Sequence, residues 1–486
     1  MAQMRPPKLG AGALFSIALG VMAAASWTAL GNSTTASIAH SSQIVFVQAP
    51  VVAGDLVNPF PRGSRLVRLE PTKGLGKVVS LTGDFFAARD PQVSFEGSKI
   101  LFAAKKTREA PWQVWEMNAD GTAKRQVTDC AADCLRPAYL ARDRIVYTAV
   151  GPNGSRAKSQ VMIAQLDGRE ARPITFGPGD FQVETVLRDG RIVVSAASPL
   201  LDGPESAGSR QLYTVRLDGT ALATFRCDHR ERAVRAQATE LDDGSLIFIK
   251  ADGGDEVGGQ LAEIRRGGLR NSSLNHVREV FWSPRSIGSQ KLIVARKNGP
   301  AHGRAAKFDL YAFDSAKGGF GDLVYEDRKL SSVQAVPLAP RPVPRWFWSI
   351  VKPESNVGYF ICLNSYLSSD APQGRMATPI AQVRVLTLDP ETNQERALGT
   401  APVEKDGSFY VAVPPDRPMR FELLSPDGRV IRAQRSWIWT RPGEEAACVG
   451  CHEDRAVAPP NRWPETLRRL DTPIHLGVEP AAQAAH

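Results

Sequence analysis

The chain has 486 residues, of which 43% are hydrophobic and 23% are charged, a composition typical of folded globular proteins. This length exceeds that of one compact core, so at least two structural units are expected. The formal charge of +9 is spread thinly, without a long Lys/Arg run, which argues against nucleic-acid binding and leaves a solvated surface or the steering of an acidic redox partner.

The N-terminal residues 1–39 are typical of an export signal. Arg5 and Lys8 precede an uncharged stretch, and small residues then allow cleavage after Ala25 or Ala39. The same stretch is long enough to remain as an N-terminal membrane anchor. Either alternative places the main body outside the cytoplasm, in the periplasm or the extracellular space.

A repeat follows over residues 44–335. Each copy combines a buried strand, an alternating strand and a turn signature, and the signatures at Asp120, Asp167, Asp218, Gly267 and Asp314 are 47 to 51 residues apart. Such a period indicates four-stranded units that stack on their neighbours, as in a β-propeller. The repeats predict six blades and leave a seventh open, and the Asp-Gly pairs are interpreted as hairpin turns rather than as catalytic carboxylates.

The repeat also resembles a known family. Residues 91–97 and 118–128 are similar to the blades of TolB-like propellers, with Glu96 where that family usually has Asp. The resemblance implies the architecture more than the function, because propellers serve binding, catalysis and scaffolding alike.

Residues 336–350 form a Pro-rich linker, because alternating prolines hold an extended path. The aromatic residues 346–348 at its end suit packing between units or contact with a porphyrin. Residues 351–440 contain short strand runs separated by turn signals, which predict a small β-sandwich. The expected fold is therefore all-β: a propeller, a sandwich and a C-terminal segment, 441–486.

Two cysteine pairs have distinct interpretations. Cys130 and Cys134 are close enough in sequence to form a disulfide in an oxidising compartment, with unpaired thiols or part of a metal site as alternatives. Cys448 and Cys451 belong to a C-x-x-C-H motif with His452, the pattern of covalent c-type haem attachment. A redox dithiol or a zinc-ligand pair would fit it less well, and Cys227 and Cys362 are expected to be single and buried.

One haem c is thus predicted, attached to Cys448 and Cys451, with His452 as the proximal ligand of the iron. One helical turn would bring both sulfurs to the same side. His475 is the first candidate for the distal position and Met419 the second. His229, His276 and His302 would need close docking of the propeller, and the distal position could also be held by Tyr, Lys or water, or be open.

A second resemblance is more specific. Residues 359–364, 380–386, 402–409, 441–444 and 448–453 resemble the middle domain of the hydrazine synthase alpha subunit. The resemblance runs from about 357 to 453 and implies a propeller, a small β domain and c-type haem. That subunit looks like a multi-haem protein working in a larger complex, whereas this chain has a single C-x-x-C-H. Only Cys448, Cys451 and His452 are therefore carried over as haem ligands.

Three functions agree with these features. The first is an exported single-haem protein that transfers electrons with a redox partner protein. The second is a haem-dependent oxidoreductase, related to the hydrazine synthase alpha subunit, that takes a small-molecule ligand. The third is a TolB-like binding or scaffold protein in which the haem serves structure or sensing.

Overall fold

The computed structural model describes residues 43–50, 52–53, 63–70, 76–151, 159–197, 209–225, 233–251, 257–265, 272–274, 279–298, 305–368, 371, 374–389, 392, 394–451 and 461–478. The export signal predicted for 1–39 lies outside them. These residues form β-strands and one short 3-10 helix, Glu465–Arg468, which confirms the all-β fold class. Nowhere in these ranges is a helix long and apolar enough to cross a membrane.

The first 25 strands build the propeller. Their bounds, in chain order, are β1 Ile44–Ala49, β2 Val52–Ala53, β3 Arg65–Glu70, β4 Lys77–Ser80, β5 Ala87–Val93, β6 Lys99–Lys105, β7 Gln113–Asn118, β8 Arg125–Gln126, β9 Cys134–Leu140, β10 Arg144–Val150, β11 Ser159–Gln165, β12 Arg172–Pro173, β13 Phe181–Val186, β14 Ile192–Ala197, β15 Arg210–Val215, β16 Ala223–Thr224, β17 Val234–Glu240, β18 Leu246–Ala251, β19 Gln260–Ile264, β20 Ser272–Ser273, β21 Phe281–Gly288, β22 Lys291–Asn298, β23 Ala305–Asp314, β24 Gly319–Tyr325 and β25 Ser331–Pro337.

In the described part of the chain all of these strands except β2 form six four-stranded blades, and β2 adds to the last blade by pairing with β23. The last strand, β25, pairs antiparallel with β1 and so becomes the innermost strand of the first blade. The inner strands β5, β9, β13, β17, β21 and β25 contact one another in cyclic order. The ring therefore closes after six blades and leaves no place for the seventh that the sequence left open.

The Asp-Gly pairs are hairpin turns, as predicted. Gly121 and Gly168 have φ values of 92° and 86°, a backbone conformation that favours glycine. Asp120 Oδ1 accepts a hydrogen bond from the N–H of Thr122, at 2.9 Å, and so closes the turn with its own side chain. Gly267 lies outside the described residues.

Each inner strand carries an irregularity at the same level of the channel. The six residues at this level, which we call the channel ring, are Asp90, Arg136, Glu184, Gln237, Ser283 and Gln334. All except Glu184 have positive φ, between 47° and 56°. The bulge turns a polar side chain along the ring toward the neighbouring blade.

Hydrogen bonds join the channel ring from blade to blade. The N–H of Asp90 donates to Gln334 Oε1 at 2.8 Å, and the N–H of Gln334 donates to Ser283 Oγ at 2.8 Å. The same backbone-to-side-chain step repeats from Ser283 to Gln237 and from Gln237 to Glu184. Bulged backbone N–H groups that have left the strand ladder are thereby satisfied inside the channel.

Eight further strands form a two-layered sandwich. Their bounds are β26 Gly358–Cys362, β27 Gln382–Leu388, β28 Glu395–Pro402, β29 Phe409–Val413, β30 Met419–Leu424, β31 Val430–Ala433, β32 Glu445–Cys448 and β33 Ile474–His475. One sheet has the order β32-β26-β29-β33 and the other β28-β27-β30-β31. The two edge strands of the first sheet, β32 and β33, come from residues 441–486, which the sequence pattern had separated from the sandwich. Both are short and pair in parallel with strands distant in sequence.

The Pro-rich segment 338–350 lies on the propeller instead of spanning free solvent. The N–H of Leu338 donates to Gln43 O, that of Arg341 to Phe95 O, and that of Arg345 to Arg188 O, at 2.8 to 2.9 Å. The last two acceptors belong to loops that follow inner strands. The segment therefore crosses the face on which those loops lie.

We predict that Gln334→Leu lowers the free energy of unfolding by about 2–4 kcal/mol, because a buried Asp90 N–H loses its acceptor and Asp90 Oδ1 loses a donor. Denaturant unfolding measures the loss. Gln394→Leu, at an exposed position, is the matched control and should change stability by less than about 0.5 kcal/mol. Equal losses in both variants would show that the channel ring does not stabilise the closure.

Candidate haem-attachment site

The paired cysteines lie at an edge of the sandwich. Cys448 is the last residue of β32 and pairs with Cys362 of β26, and Cys451 follows in a bend. Both side chains are partly exposed and pack against the margin of the sandwich core. The motif thus begins on a strand, and the helical turn that the sequence suggested for the cysteines is not present between them.

The loop that holds the motif was not anticipated from the sequence. The N–H of Leu363 donates to Cys448 O at 2.9 Å, and the N–H of Cys451 donates to Leu367 O at 3.0 Å. A Cβ on Gly450 would lie 2.7 Å from Leu367 O, so only glycine permits this approach. Residues 363–367 therefore fix the backbone of both cysteines.

A second anchor holds the chain after the motif. Asp406 Oδ1 accepts from the N–H of Ser408 at 2.9 Å, and Asp406 Oδ2 accepts from the N–H of Glu465 at 3.0 Å. Ser408 Oγ accepts from the N–H of Thr466, and Arg469 pairs with Glu404 at 3.1 Å. The segment 402–409, which resembles the known family, thus ties the C-terminal tail to the sandwich.

The tail exposes large apolar side chains beside this anchor. Trp463 is 65% exposed, and Leu470 is fully exposed. Trp463 adjoins Arg462, whose guanidinium lies 3.5 Å from Asp406 O. The Trp463 and Leu470 side chains give the tail apolar surface on the segment that the anchor holds.

His475 lies elsewhere. It belongs to β33, at the edge of the sheet opposite to β32, about 14 Å away across three strand spacings. Ile474 packs on the sandwich core together with Cys448, so the next residue, His475, points to the other face. The structure does not bring His475 to the cysteines, and its role as distal ligand stays a prediction of the sequence that this geometry disfavours.

The other predicted residues divide into two groups. Met419 is completely buried in the sandwich core, and Cys362 is 3% exposed. His452 and Cys227 lie outside the described residues, as do His229, His276 and His302. Within the described ranges, no three His, Cys, Asp or Glu side chains are placed to hold a metal ion.

Cys130 and Cys134 form a disulfide in the propeller, with 6.2 Å between their Cα atoms. Cys134 begins β9, and the bridge closes the loop before the third blade. This pair is distant in sequence and in the fold from the Cys448 motif, so the two cysteine pairs serve different units.

One hairpin of the fourth blade docks the sandwich. The indole Nε1–H of Trp439 donates to Gly219 O at 2.9 Å, and its ring packs edge-on against Phe176 and Phe181. Asp218 Oδ2 accepts from the N–H of Ile350 at 3.1 Å. This hairpin is buried, whereas the equivalent turn at Asp120 is exposed. The hairpin of the fourth blade therefore serves as a contact surface for the sandwich.

Glu444, four residues before Cys448, completes the contact. Its Oε1 accepts from the N–H of Ala221 at 2.7 Å, and its Oε2 accepts from the N–H of Arg441 at 2.8 Å. Burial raises the pKa of Glu444, and the two N–H donors oppose this shift without cancelling it. The family-like segment 441–444 therefore positions the motif against the propeller.

Fold and site together define a propeller–sandwich protein that carries a cysteine pair on a sheet edge. The family model for the hydrazine synthase alpha subunit middle domain matches residues 367–453. Hydrazine synthase subunit alpha from Kuenenia stuttgartiensis is 22% identical, over 89% of this chain and 68% of that protein.

One solved structure supports this similarity at the level of the fold. Hydrazine synthase from Kuenenia stuttgartiensis has a TM-score of 0.75 at 20% identity, covering 89% of this chain and 73% of that chain. TolB from Acinetobacter baumannii has a TM-score of 0.44 at 13% identity, covering 62% of this chain and 67% of that chain. The chain is similar to hydrazine synthase alpha subunits over most of its length, and the resemblance inferred from its sequence is confirmed.

We predict that Glu444→Ala lowers the free energy of unfolding by about 1–3 kcal/mol, because the buried N–H of Arg441 and the partly buried N–H of Ala221 lose their acceptor. Denaturant unfolding measures this, with the exposed Glu354→Ala as control.

The loss should depend on pH with a definite sign. Because the folded state raises the pKa of Glu444 above its ordinary 4.5, ionisation weakens the folded state. The advantage of wild type over Glu444→Ala is fully present below about pH 4.5 and decreases as pH rises through the folded-state pKa. An advantage that grows from pH 4 to pH 8 would contradict this assignment.

Proposed function

We propose that this protein is an exported c-type haem protein that exchanges electrons with a protein partner. One haem would be attached through Cys448 and Cys451, with His452 as the proximal ligand. The main support for this proposal is the placement of the cysteine pair. Both thiols are partly exposed at a sheet edge, and hydrogen bonds to Leu363 and Leu367 fix the backbone of the two cysteines.

The residues present fit a porphyrin. Partly exposed thiols three residues apart adjoin the apolar margin of the sandwich, and the tail adds the exposed Trp463. Haem, when bound, supplies a one-electron couple at its iron. The chain's own contribution is to hold the two sulfur atoms through Leu363 and Leu367 and to leave this edge accessible to a partner.

Two different observations support a protein partner and export from the cytoplasm. The similar protein from Kuenenia stuttgartiensis is named as a subunit, so it assembles with other chains. The N-terminal residues 1–39 resemble an export signal or anchor, and the disulfide Cys130–Cys134 suits an oxidising compartment. We therefore propose that the protein works in the periplasm or outside the cell.

A haem-dependent oxidoreductase is the second candidate. The observation that favours it is the similarity to hydrazine synthase over 89% of the chain. In that case the residues around the haem would leave the iron accessible to a small molecule, whereas a second strong ligand from the chain would favour electron transfer.

Covalent attachment is tested with two matched double variants, produced in a host that matures c-type cytochromes. Cys448→Ser with Cys451→Ser should abolish haem that survives denaturing electrophoresis. Cys130→Ser with Cys134→Ser, which also removes two thiols, should retain it. Wild-type protein without covalent haem would overturn the proposal.

The coordination state separates the two candidates. We expect low-spin absorption and EPR spectra in wild type, and we expect His475→Ala to leave them unchanged, because β33 lies at the opposite edge of the sheet. High-spin iron in wild type would favour the oxidoreductase. A change from low to high spin in His475→Ala would show that His475 reaches the iron.

A further inference from the structure

The central channel of the propeller contains a cavity of about 80 Å³. All six residues of the channel ring line it, together with Arg285, which follows Ser283 by two residues on β21. The cavity has polar and charged groups among its lining and has room for several waters or for one small ion. Its charged side chains decide what it can hold.

Both carboxylates of the cavity are already saturated. Asp90 pairs with Arg89 at 3.0 Å and accepts from the N–H of Arg136 and from Gln334 Nε2. Glu184 pairs with Arg136 at 3.0 Å and accepts from Ser195 Oγ and the N–H of Gln237. Each carboxylate is thus matched by one guanidinium and by neutral donors, so neither is left for Arg285.

Arg285 is the remaining cation of the cavity. Among the residues that the structure describes, no carboxylate forms an ion pair with it. The nearest charged influence on it is Arg341, a second cation, whose guanidinium donates to Val93 O at 3.1 to 3.2 Å. Burial and this repulsion lower the pKa of Arg285 to about 10, which leaves it protonated at neutral pH.

We propose that the central channel binds one small planar oxyanion of the monocarboxylate type on the guanidinium of Arg285. A charge held in a cavity without a counter-ion is unfavourable, and an anion that enters restores neutrality. A guanidinium offers two parallel N–H donors, which match the two oxygens of a carboxylate. The volume of about 80 Å³ favours a small anion.

The test uses the full-length haem-loaded protein in HEPES buffer, with formate as the probe and MES, a bulky sulfonate, as the control for ionic strength. Formate should raise Tm in a saturable manner, by about 3–5 °C at a hundred times Kd, and calorimetry should give one site per chain. MES should give no saturable shift. Equal effects of formate and MES on wild type would overturn the proposal.

Three variants locate the site. Arg285→Gln should abolish the formate shift and, in HEPES alone, be at least as stable as wild type, because it removes an unneutralised charge. Arg285→Lys should retain the shift with a Kd about tenfold higher, since the bidentate geometry is lost. Arg328→Gln, at an exposed position, should behave as wild type.

Two outcomes among the variants contradict the assignment. If Arg285→Gln keeps the formate shift, the anion binds elsewhere. If Arg285→Gln is less stable than wild type in HEPES while Arg328→Gln is not, the charge of Arg285 is already matched in the protein. Arg285→Lys keeps the cation and so tests binding even where the glutamine variant folds poorly.

Discussion

The closure of the propeller by β25 is the constraint on which the rest of the structure depends. β25 is the last strand of the propeller in sequence, and it pairs with β1, the first. The channel ring then joins the blades by hydrogen bonds that only a closed ring can complete. Closure also fixes where the chain leaves the propeller. Leu338 starts its path across the loops of the inner strands, and the sandwich docks where that path ends, at Asp218.

The segments that resemble the hydrazine synthase alpha subunit have physical roles in this chain. Residues 441–444 satisfy the backbone of the fourth blade through Glu444, and residues 402–409 hold the tail through Asp406 and Ser408. Both lie close to the cysteine pair, one before it in the chain and one beside it. In this chain their acceptors satisfy backbone N–H groups, a structural role that does not depend on the chemistry of the site.

The sequence predicted the repeated parts of the fold and missed the parts held by single residues. Blades recur with a period and with Asp-Gly turns, so six of them could be counted. The channel ring has no such signal, because Asp, Arg, Glu, Gln and Ser share only a backbone position. The edge strands β32 and β33 were missed because they are short and pair with strands distant in sequence. His475 was a candidate because it follows the motif closely in sequence. Residues close in sequence can still lie at opposite edges of one sheet, as β32 and β33 do.

The position of the docking hairpin bears on how the two units work together. The hairpin at Gly219 joins β15 and β16, the two outermost strands of its blade, whereas the cavity lies between the innermost strands. About three strand spacings, some 14 Å, separate the two regions. Glu444 contacts this outer hairpin, and Cys448 follows only four residues later. A ligand in the channel would therefore not touch a group bound at the cysteines, and the propeller would support the segment that carries them rather than act as its substrate pocket.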